Sequence, residues 1–467
     1  MSKGKSINLG TITVVASLGG FLFGFDMAVV SGVLSFIEKQ FSLTAVQEGW
    51  FVSAALLGCI IGVLLSGELS DRLGRKKPLL LSAGLFLLSA IGCAFLPSLS
   101  WVIASRLLGG IGIGIASNVV PLYISEIAPA NIRGRLVTYY QFALTFGILV
   151  AYLSNAGLVS YATHAAEGAM FKNEIWRAMF GVGAIPALLF LLGLFIVPES
   201  PRWLIQKGHK AEALDIISRT TGSTTSDILA EQSANVHQGS YKDLLAPGMR
   251  KALLIGILLP LFSQFSGINA IIYYGTKILS NAGNSLSSSL MSQVIFGAAN
   301  MLFTLIAIWK VDSWGRRPLY LWGTAGATVT LLATGLCFFY GAPSGILLVC
   351  VLAFLACFAF SIGPLKFVVA SEIFPNAIRG RALAISIMTM WVADTIVGWL
   401  TPILLKNLGN SGTFWFFAFF CAVAYVVVYK LLPETKGQSL EHIENYWKEK
   451  GIDASAQQYD DQPTPIH

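Results

Sequence analysis

The sequence predicts an all-α membrane protein, with twelve spanning helices in two six-helix bundles joined by a cytoplasmic helical loop. Three observations carry this. The first is composition: of 467 residues, 55% are hydrophobic and 12% charged, and the mean hydropathy is +0.69. A soluble chain of that length could not keep so much apolar surface from water. The second is a succession of apolar runs, each about 20 residues long and so able to cross a hydrocarbon core of about 30 Å. The third is repetition. Gly67-Glu-Leu-Ser-Asp71-Arg72-Leu-Gly74-Arg75-Lys76 is echoed by Asp312-Ser-Trp-Gly315-Arg316-Arg317. Glu126-Ile-Ala-Pro129-Ala-Asn-Ile-Arg133-Gly134-Arg135 returns as Glu372-Ile-Phe-Pro375-Asn-Ala-Ile-Arg379-Gly380-Arg381, and Pro198-Glu199-Ser-Pro201-Arg202 as Pro433-Glu434-Thr435-Lys436. Three motifs in one order at a near-constant offset describe an internal duplication. In membrane chains, duplicated halves often build a transporter with its substrate site between them.

The spans read, in order, as about 9–33, 46–66, 78–97, 100–124, 137–160, 177–197, 251–277, 287–310, 318–340, 345–370, 382–405 and 412–432. Backbone in lipid must satisfy its own hydrogen bonds, so these runs are helices. Their many glycines fit close helix contacts in membranes. The expected domains are residues 1–197 for the first bundle, 198–250 for the linker, 251–432 for the second bundle and 433–467 for a cytoplasmic tail. In the linker, Lys210 to Arg219 has the apolar spacing of a short surface helix, and Ser223 to Gly239 has the polar composition of a mobile segment. The tail opens with an amphipathic stretch, Leu440 to Trp447, and then becomes polar, the composition of a disordered end.

The formal net charge of +7 could suggest a polyanion partner, but its distribution argues for topology. With both termini cytoplasmic, about 24 of the 31 Lys and Arg fall in cytoplasmic segments, as positive-inside bias requires. Lys39, Lys172, Arg177, Lys277 and Lys406 fall outside. No nucleic-acid partner is expected. The six cysteines lie in apolar spans without metal-ligand spacing, so no disulfide framework, metal or cofactor is indicated. Residues 1–7 are polar, and the first apolar run is long enough to remain as a span, unlike a cleaved signal.

Pro198-Glu-Ser-Pro-Arg-Trp203-Leu, Pro433-Glu-Thr-Lys-Gly437 and Gln264-Phe-Ser-Gly267-Ile-Asn269-Ala-Ile-Ile-Tyr273-Tyr274 carry a more specific likeness. Together, on a six-plus-six hydropathy pattern, they resemble the sugar porter family of the major facilitator superfamily, over about residues 9–447. The resemblance implies alternating access in a protein that works as a monomer in the cell membrane (inner or plasma), with both termini cytoplasmic. It also implies a cytoplasmic gate of ion pairs. Its candidates are Asp71, Arg72, Arg75, Glu126, Arg133, Glu199 and Arg202 in the first half. Asp312, Arg316, Arg317, Glu372, Arg379 and Glu434 are the candidates in the second. The plainer reading is a set of loop charges that only set topology.

Asp26 and Arg106 lie well inside spans, where charge is costly and usually functional. The resemblance places Asp26 on span 1 beside Arg106 on span 4. Burial favours a neutral carboxyl and an adjacent guanidinium favours the carboxylate. A transport cycle that changes this contact would bind and release a proton. In the family such an Asp marks proton symporters. The alternative is a static pair that holds two helices together. A neutral polyhydroxylated substrate needs donors, acceptors and aromatic faces. The candidates are Phe23, Gln141, Gln264, Asn269, Tyr273, Tyr274, Asn300, Gly363, Phe367 and Trp391. Each amide could instead be interhelical glue. Gln264 and Asn269 are five apart, off one helical stripe, and Ser266-Gly267 between them permits a break.

The chain departs from the family pattern at Ser263-Gln264, where a glutamine pair is usual. It departs again at Gly363-Pro364-Leu365-Lys366-Phe367, which has lost a tryptophan and gained a lysine. Met390 replaces a polar residue, and Asp394 stands where asparagine is frequent. Lys366 and Asp394 are either an ion pair or, for Lys366, a contact to an acidic substrate. The expected function is proton-coupled uptake of a monosaccharide or related polyol. The alternatives are transport of an organic acid or other non-sugar metabolite using Lys366, and a non-transporting nutrient sensor. No catalytic constellation is visible, so an enzyme is not expected.

Overall fold

The computed structural model describes residues 8–129, 132–164, 171–220, 241–246 and 249–436. The side chains of Arg133, Asp312 and Phe367 lie outside the described part, as do Ser223–Gly239 and Leu440–Trp447. All regular structure among the described residues is helical. The first half runs α1 (Leu9–Phe41), α2 (Ala45–Leu73), α3 (Lys76–Phe95), α4 (Leu99–Ile127), α5 (Arg133–His164), then α6 (Ile175–Val182) and α7 (Ala184–Ile196), which together make span 6. The linker contributes α8 (Pro201–Gln206) and α9 (Lys210–Thr220), which bury Leu204, Ala213 and Ile216 against each other. These are the short helices expected there.

In the second half α10 (Met249–Phe265) and α11 (Ile268–Asn281) form span 7, and α12 (Leu286–Trp314) and α13 (Arg316–Tyr340) follow. Span 10 is composite: α14 (Ser344–Cys357), a π-helical turn (Phe358–Ile362) and α15 (Gly363–Glu372). The Gly363 N–H donates to the Phe358 carbonyl, five residues back, just where Pro364 withdraws a donor. Finally α16 (Asn376–Leu431) contains a non-helical residue, Gly409, at φ 68° and ψ −178°, which divides it into spans 11 and 12. Eleven described helices are long and apolar enough to cross a membrane, and that division gives the twelfth span.

By contacts the chain forms two compact units. The first comprises Met1–Ser233, Asn269–Thr304 and Asp394–Asn410; the second comprises Ala234–Ile268, Leu305–Ala393 and Ser411–His467. The chain thus passes from one unit to the other inside span 7, between Ile268 and Asn269, and inside span 11, between Ala393 and Asp394.

In the first unit α2 packs along α4, and α1 along α5. Small residues set both distances. A Cβ on Gly58 or Gly62 would overlap the carbonyls of Leu107 or Ile111, and one on Gly110 or Gly114 those of Ala55 or Cys59. Backbone therefore touches backbone along this interface, as dispersion-driven packing in lipid favours. α11 joins the same unit through several ties. Thr276 Oγ1 and Ser31 Oγ are 2.9 Å apart, and the Thr276 N–H also donates to Ser31 Oγ at 3.1 Å. The Tyr274 hydroxyl donates to the Gly398 carbonyl at 2.6 Å, and the Tyr152 hydroxyl to that of Ile272 at 3.1 Å. At the helix end, Lys277 Nζ lies 2.5 Å from Glu48 and 3.0 Å from Glu38. The Glu48 side chain is 1% exposed, so its charge depends on that lysine. In the second unit α13 packs against α14 and the π turn, and α10 against α15.

Two outcomes follow from this packing. Gly110→Ala should lower stability by about 1–3 kcal/mol through overpacking, seen as a lower thermal midpoint of the purified protein. Gly84→Ala should not, since nothing lies within 4 Å of its added Cβ. Lys277→Met leaves Glu48 buried without its cation and should destabilise by about 3–5 kcal/mol. Adding Glu48→Gln should recover at least half of that loss in the same melting assay.

Candidate functional site

Asp26 lies in the middle of α1 and Arg106 in the first turns of α4. Arg106 Nη1 donates to the two Asp26 oxygens at 3.4 and 3.3 Å. These are long for a charge-assisted bond, which is usually about 2.7–2.9 Å. The arginine side chain is 1% exposed, while that of Asp26 is 17% exposed, so the carboxyl retains access that the guanidinium lacks. The guanidinium carbon sits 5.6 Å from the Phe51 ring centroid and 5.4 Å from that of Phe180. The two aromatic faces stabilise the cation without competing for its hydrogen bonds. A small cavity with room for a water adjoins Asp26, walled by Phe25, Phe86, Phe180 and Ser89. The geometry suits a carboxyl that exchanges a proton while a fixed cation stays beside it.

A second polar cluster is built on α11. Span 7 breaks at Gly267, whose φ of 85° suits glycine and whose Cα faces the Phe417 ring. The helix restarts at Ile268, which puts Asn269 on its first turn and Tyr273 one turn later. Asn269 Nδ2 donates to Asp394 Oδ1 at 2.6 Å. The Tyr273 hydroxyl donates to Asp394 Oδ2 at 3.0 Å and also lies 3.5 Å from the sulfur of Met27, the neighbour of Asp26. Asp394 is 4% exposed and Tyr273 2%, whereas Asn269 is half-buried.

The other sequence candidates stand as follows. Lys366, on α15, is 8% exposed and its Nζ donates to Ser263 Oγ at 3.0 Å. Gln264 is buried at the end of α10, and Trp391 is fully buried on α16. Tyr274 is fully buried as a helix tie through its bond to Gly398. Phe23, Asn300 and Gly363 are half-buried, and Gln141 is exposed on α5.

The charge motifs form one network in each unit, with the same parts. In the first, Arg75 grips Glu126 with Nε at 2.8 Å and Nη2 at 2.7 Å. Ser200 Oγ donates to the same carboxylate at 2.5 Å. Glu199 accepts the Arg75 and Lys76 amide protons at 2.8 and 3.2 Å, neutralising the start of α3. In the second, Arg316 grips Glu372 with Nε at 3.1 Å and Nη2 at 2.9 Å. Thr435 Oγ1 donates to Glu372 at 2.6 Å, and Glu434 accepts the Arg316 and Arg317 amide protons at 3.0 and 3.2 Å. Gly74 and Gly315, both at φ 88°, let the backbone turn onto Glu199 and Glu434.

Sequence reasoning grouped Glu126 with Arg133 and Glu372 with Arg379 as neighbours in one motif. Each glutamate reaches the arginine of another motif, Arg75 for Glu126 and Arg316 for Glu372. Arg379 donates to the Phe374 carbonyl. Ser200 and Thr435 were not singled out, although the hydroxyl residue that follows Glu in both Pro-Glu motifs was the available signal. Of the remaining gate candidates, Arg72 pairs with Glu68 on the surface, and Asp71 lies 3.9 Å from Arg75. Arg202 lies on α8, and Arg317 donates to the Tyr429 carbonyl at 2.7 Å. Glu48, bonded to Lys277, was also missed; an acid one turn inside span 2 was its signal.

Residues 12–447 match the family model described as "Sugar (and other) transporter". The chain is 39% identical to the arabinose-proton symporter of Bacillus subtilis (strain 168), covering 93% of this chain and 94% of that protein. It is 37% identical to the D-xylose-proton symporter of Escherichia coli (strain K12), covering 94% and 95%. Among solved structures, the inward open conformation of the xylose transporter XylE from E. coli aligns with a TM-score of 0.82 at 36% identity. That alignment covers 94% of this chain and all of the other. The complex of that proton:xylose symporter with 6-bromo-6-deoxy-D-glucose aligns with a TM-score of 0.75 at 36% identity. With its twelve spans, its duplicated charge networks and these likenesses along nearly its whole length, the chain belongs to the sugar transporter family of the major facilitator superfamily.

Proposed function

We propose that the protein is a secondary active transporter that takes up a monosaccharide or related polyol together with a proton, by alternating access. The carrying observation is the Asp26–Arg106 pair, a titratable carboxyl held beside a cation within the spans. Its setting is a family whose members cited above include proton symporters of arabinose and xylose. With Asp26 protonated, the attraction to Arg106 falls and the packing of α1 on α4 inside the first bundle changes at lower cost. With Asp26 ionised, the pair re-forms. Binding a proton on one side of the membrane and losing it on the other is then linked to the state of the bundles.

The two six-helix bundles of the duplicated sequence are the moving bodies. The membrane is the inner or plasma membrane, both termini are cytoplasmic, and one chain suffices for transport. Gln141, Gln264, Asn269, Asn300 and Trp391, with the rings and glycine named beside them, supply the sugar contacts. The twin Arg–Glu networks are the cytoplasmic gate. A network present in one state alone shifts a two-state balance even when each pair is weak. The free energy comes from the proton gradient.

Uptake into proteoliposomes with an imposed pH gradient, screened over pentoses, hexoses, inositols and sugar acids, tests the proposal. Accumulation of a neutral sugar that collapses with the gradient is expected; failure of every neutral sugar to enter or compete sinks it. Asp26→Asn should abolish uphill uptake and leave exchange of the same sugar across the membrane within about threefold of wild type. Glu126→Gln and Glu372→Gln should each slow transport by about tenfold, the equivalent of about 1.4 kcal/mol, with KM changed less than about threefold. A wild-type rate in either would remove the gate role.

A further inference from the structure

We propose that Cys337 and Cys350 form a redox-responsive dithiol: a low-molecular-weight disulfide oxidises the pair to a cross-link that staples span 9 to span 10 on the outward side of the membrane. The outward placement rests on the transport reading above; the reactivity of the pair does not. The chain carries six cysteines, and their spacing alone pairs none of them. The fold brings these two together, with their Sγ atoms 3.8 Å apart. A disulfide is about 2.05 Å long, so the sulfurs have less than about 2 Å left to close.

The contact is built into a helical hairpin inside the second unit. α13 ends at Tyr340 and α14 begins at Ser344. Gly341, in the left-handed region at φ 63°, closes α13, and the Ala342 N–H donates to the Cys337 carbonyl at 2.8 Å. Cys337 is thus fixed in the last turn of its helix. Farther from the turn, a Cβ on Gly326 would overlap Cys357 Sγ, and one on Gly323 would overlap Ser361 Oγ. Cys337 with Cys350, Gly326 with Cys357 and Gly323 with Ser361 run antiparallel in one register. The thiol contact therefore belongs to continuous packing of span 9 on span 10.

Both thiols are half-buried, whereas Cys59, Cys93 and Cys421 are buried. Tyr340 is 77% exposed at the end of α13, and Trp415 lies against Gly335, just before Cys337. Tyrosine and tryptophan gather where lipid gives way to water, the level a small polar oxidant reaches. Arg316, of the Arg–Glu network, starts the same 25-residue helix, about 36 Å from Tyr340. With that network cytoplasmic, the thiols face outward, where disulfides form and persist. One cysteine, as thiolate, attacks a sulfur of the small disulfide; that S–S bond breaks, and its other half leaves and takes up a proton. The second cysteine thiolate attacks the protein sulfur of the mixed disulfide and expels the remaining half, which is protonated in turn. Two protein thiols are oxidised and one small disulfide is reduced to two thiols. The new bond joins cysteines 13 positions apart and restricts the unfolded chain, so the oxidised protein is the more stable.

The purified full chain, reduced and then exposed to oxidised glutathione, should lose two of its six thiols, and the peptides carrying Cys337 and Cys350 should be found joined. The thermal midpoint should rise, and fall back on reduction. Cys337→Ser and Cys350→Ser should each stop at a glutathione adduct on the remaining thiol of the pair, without that rise. Cys357→Ser should still lose the same two thiols as wild type. Six free thiols after oxidation, or a cross-link between other cysteines, overturns the inference and leaves sugar transport standing. A midpoint unmoved by the Cys337–Cys350 cross-link overturns its role as a staple. Right-side-out membrane vesicles given the same membrane-impermeant reagent should form the same cross-link. Its formation in the purified protein but not in those vesicles overturns the outward placement, and with it the topology of the transport reading.

Discussion

A charge within a hydrocarbon layer has to be met by another charge or by directed hydrogen bonds, since an uncompensated one costs several kcal/mol. The organisation of this protein follows from how that requirement is met. Arg106 is answered by Asp26 and two aromatic faces, Glu48 by Lys277, and Asp394 by Asn269 and Tyr273. Each compensation joins different helices. The polar residues that could carry transport are therefore also the residues that hold the helices in register. A change of partner at one of them is a change in helix packing, which is what alternating access requires of its coupling groups.

At the motif-bearing ends the same requirement is met twice with one design. Glu126 and Glu372 each take a forked arginine from the turn between two helices and a hydroxyl from the segment after the bundle. Glu199 and Glu434 each cap the start of the helix that the arginine begins. Three segments distant in sequence meet at one carboxylate in each half. The duplication thus preserves a network rather than isolated motifs, which explains why all three motifs recur in one order. Serine in one copy and threonine in the other satisfy the same need, because only the hydroxyl takes part.

The spans, the break in span 7 and the division at the end of span 11 were legible from hydropathy and from glycine placement, because each reflects a local property of the chain. The π turn in span 10 was not, since Pro364 predicts a disturbed hydrogen bond but not which register replaces it. Partner choice was the hardest to read. Glu126 has Arg133 seven residues away, yet it binds Arg75, fifty-one residues away, because α2 and α3 bring that arginine to the end of α4. Asp394 was readable as a buried acid needing company. That Asn269 and Tyr273 supply it depends on where α11 restarts after Gly267, a matter of one residue of helical phase.

That phase gives α11 its importance. Asn269, Tyr273, Thr276 and Lys277 stand at i, i+4, i+7 and i+8, one stripe of a single helix. Along that stripe they meet Asp394, then Met27 beside Asp26, then Ser31, then Glu48. The Asn269 amide, the contact beside Asp26 and the terminal ion pair are thereby arranged in sequence along the 14 residues of a helix that follows a glycine break. The helix thus runs from a glycine break at one end to an ion pair at the other. The duplication cannot supply this, because no counterpart of the stripe was built into the repeated motifs. The stripe accordingly lies where the two halves differ, and the Arg–Glu networks where they agree.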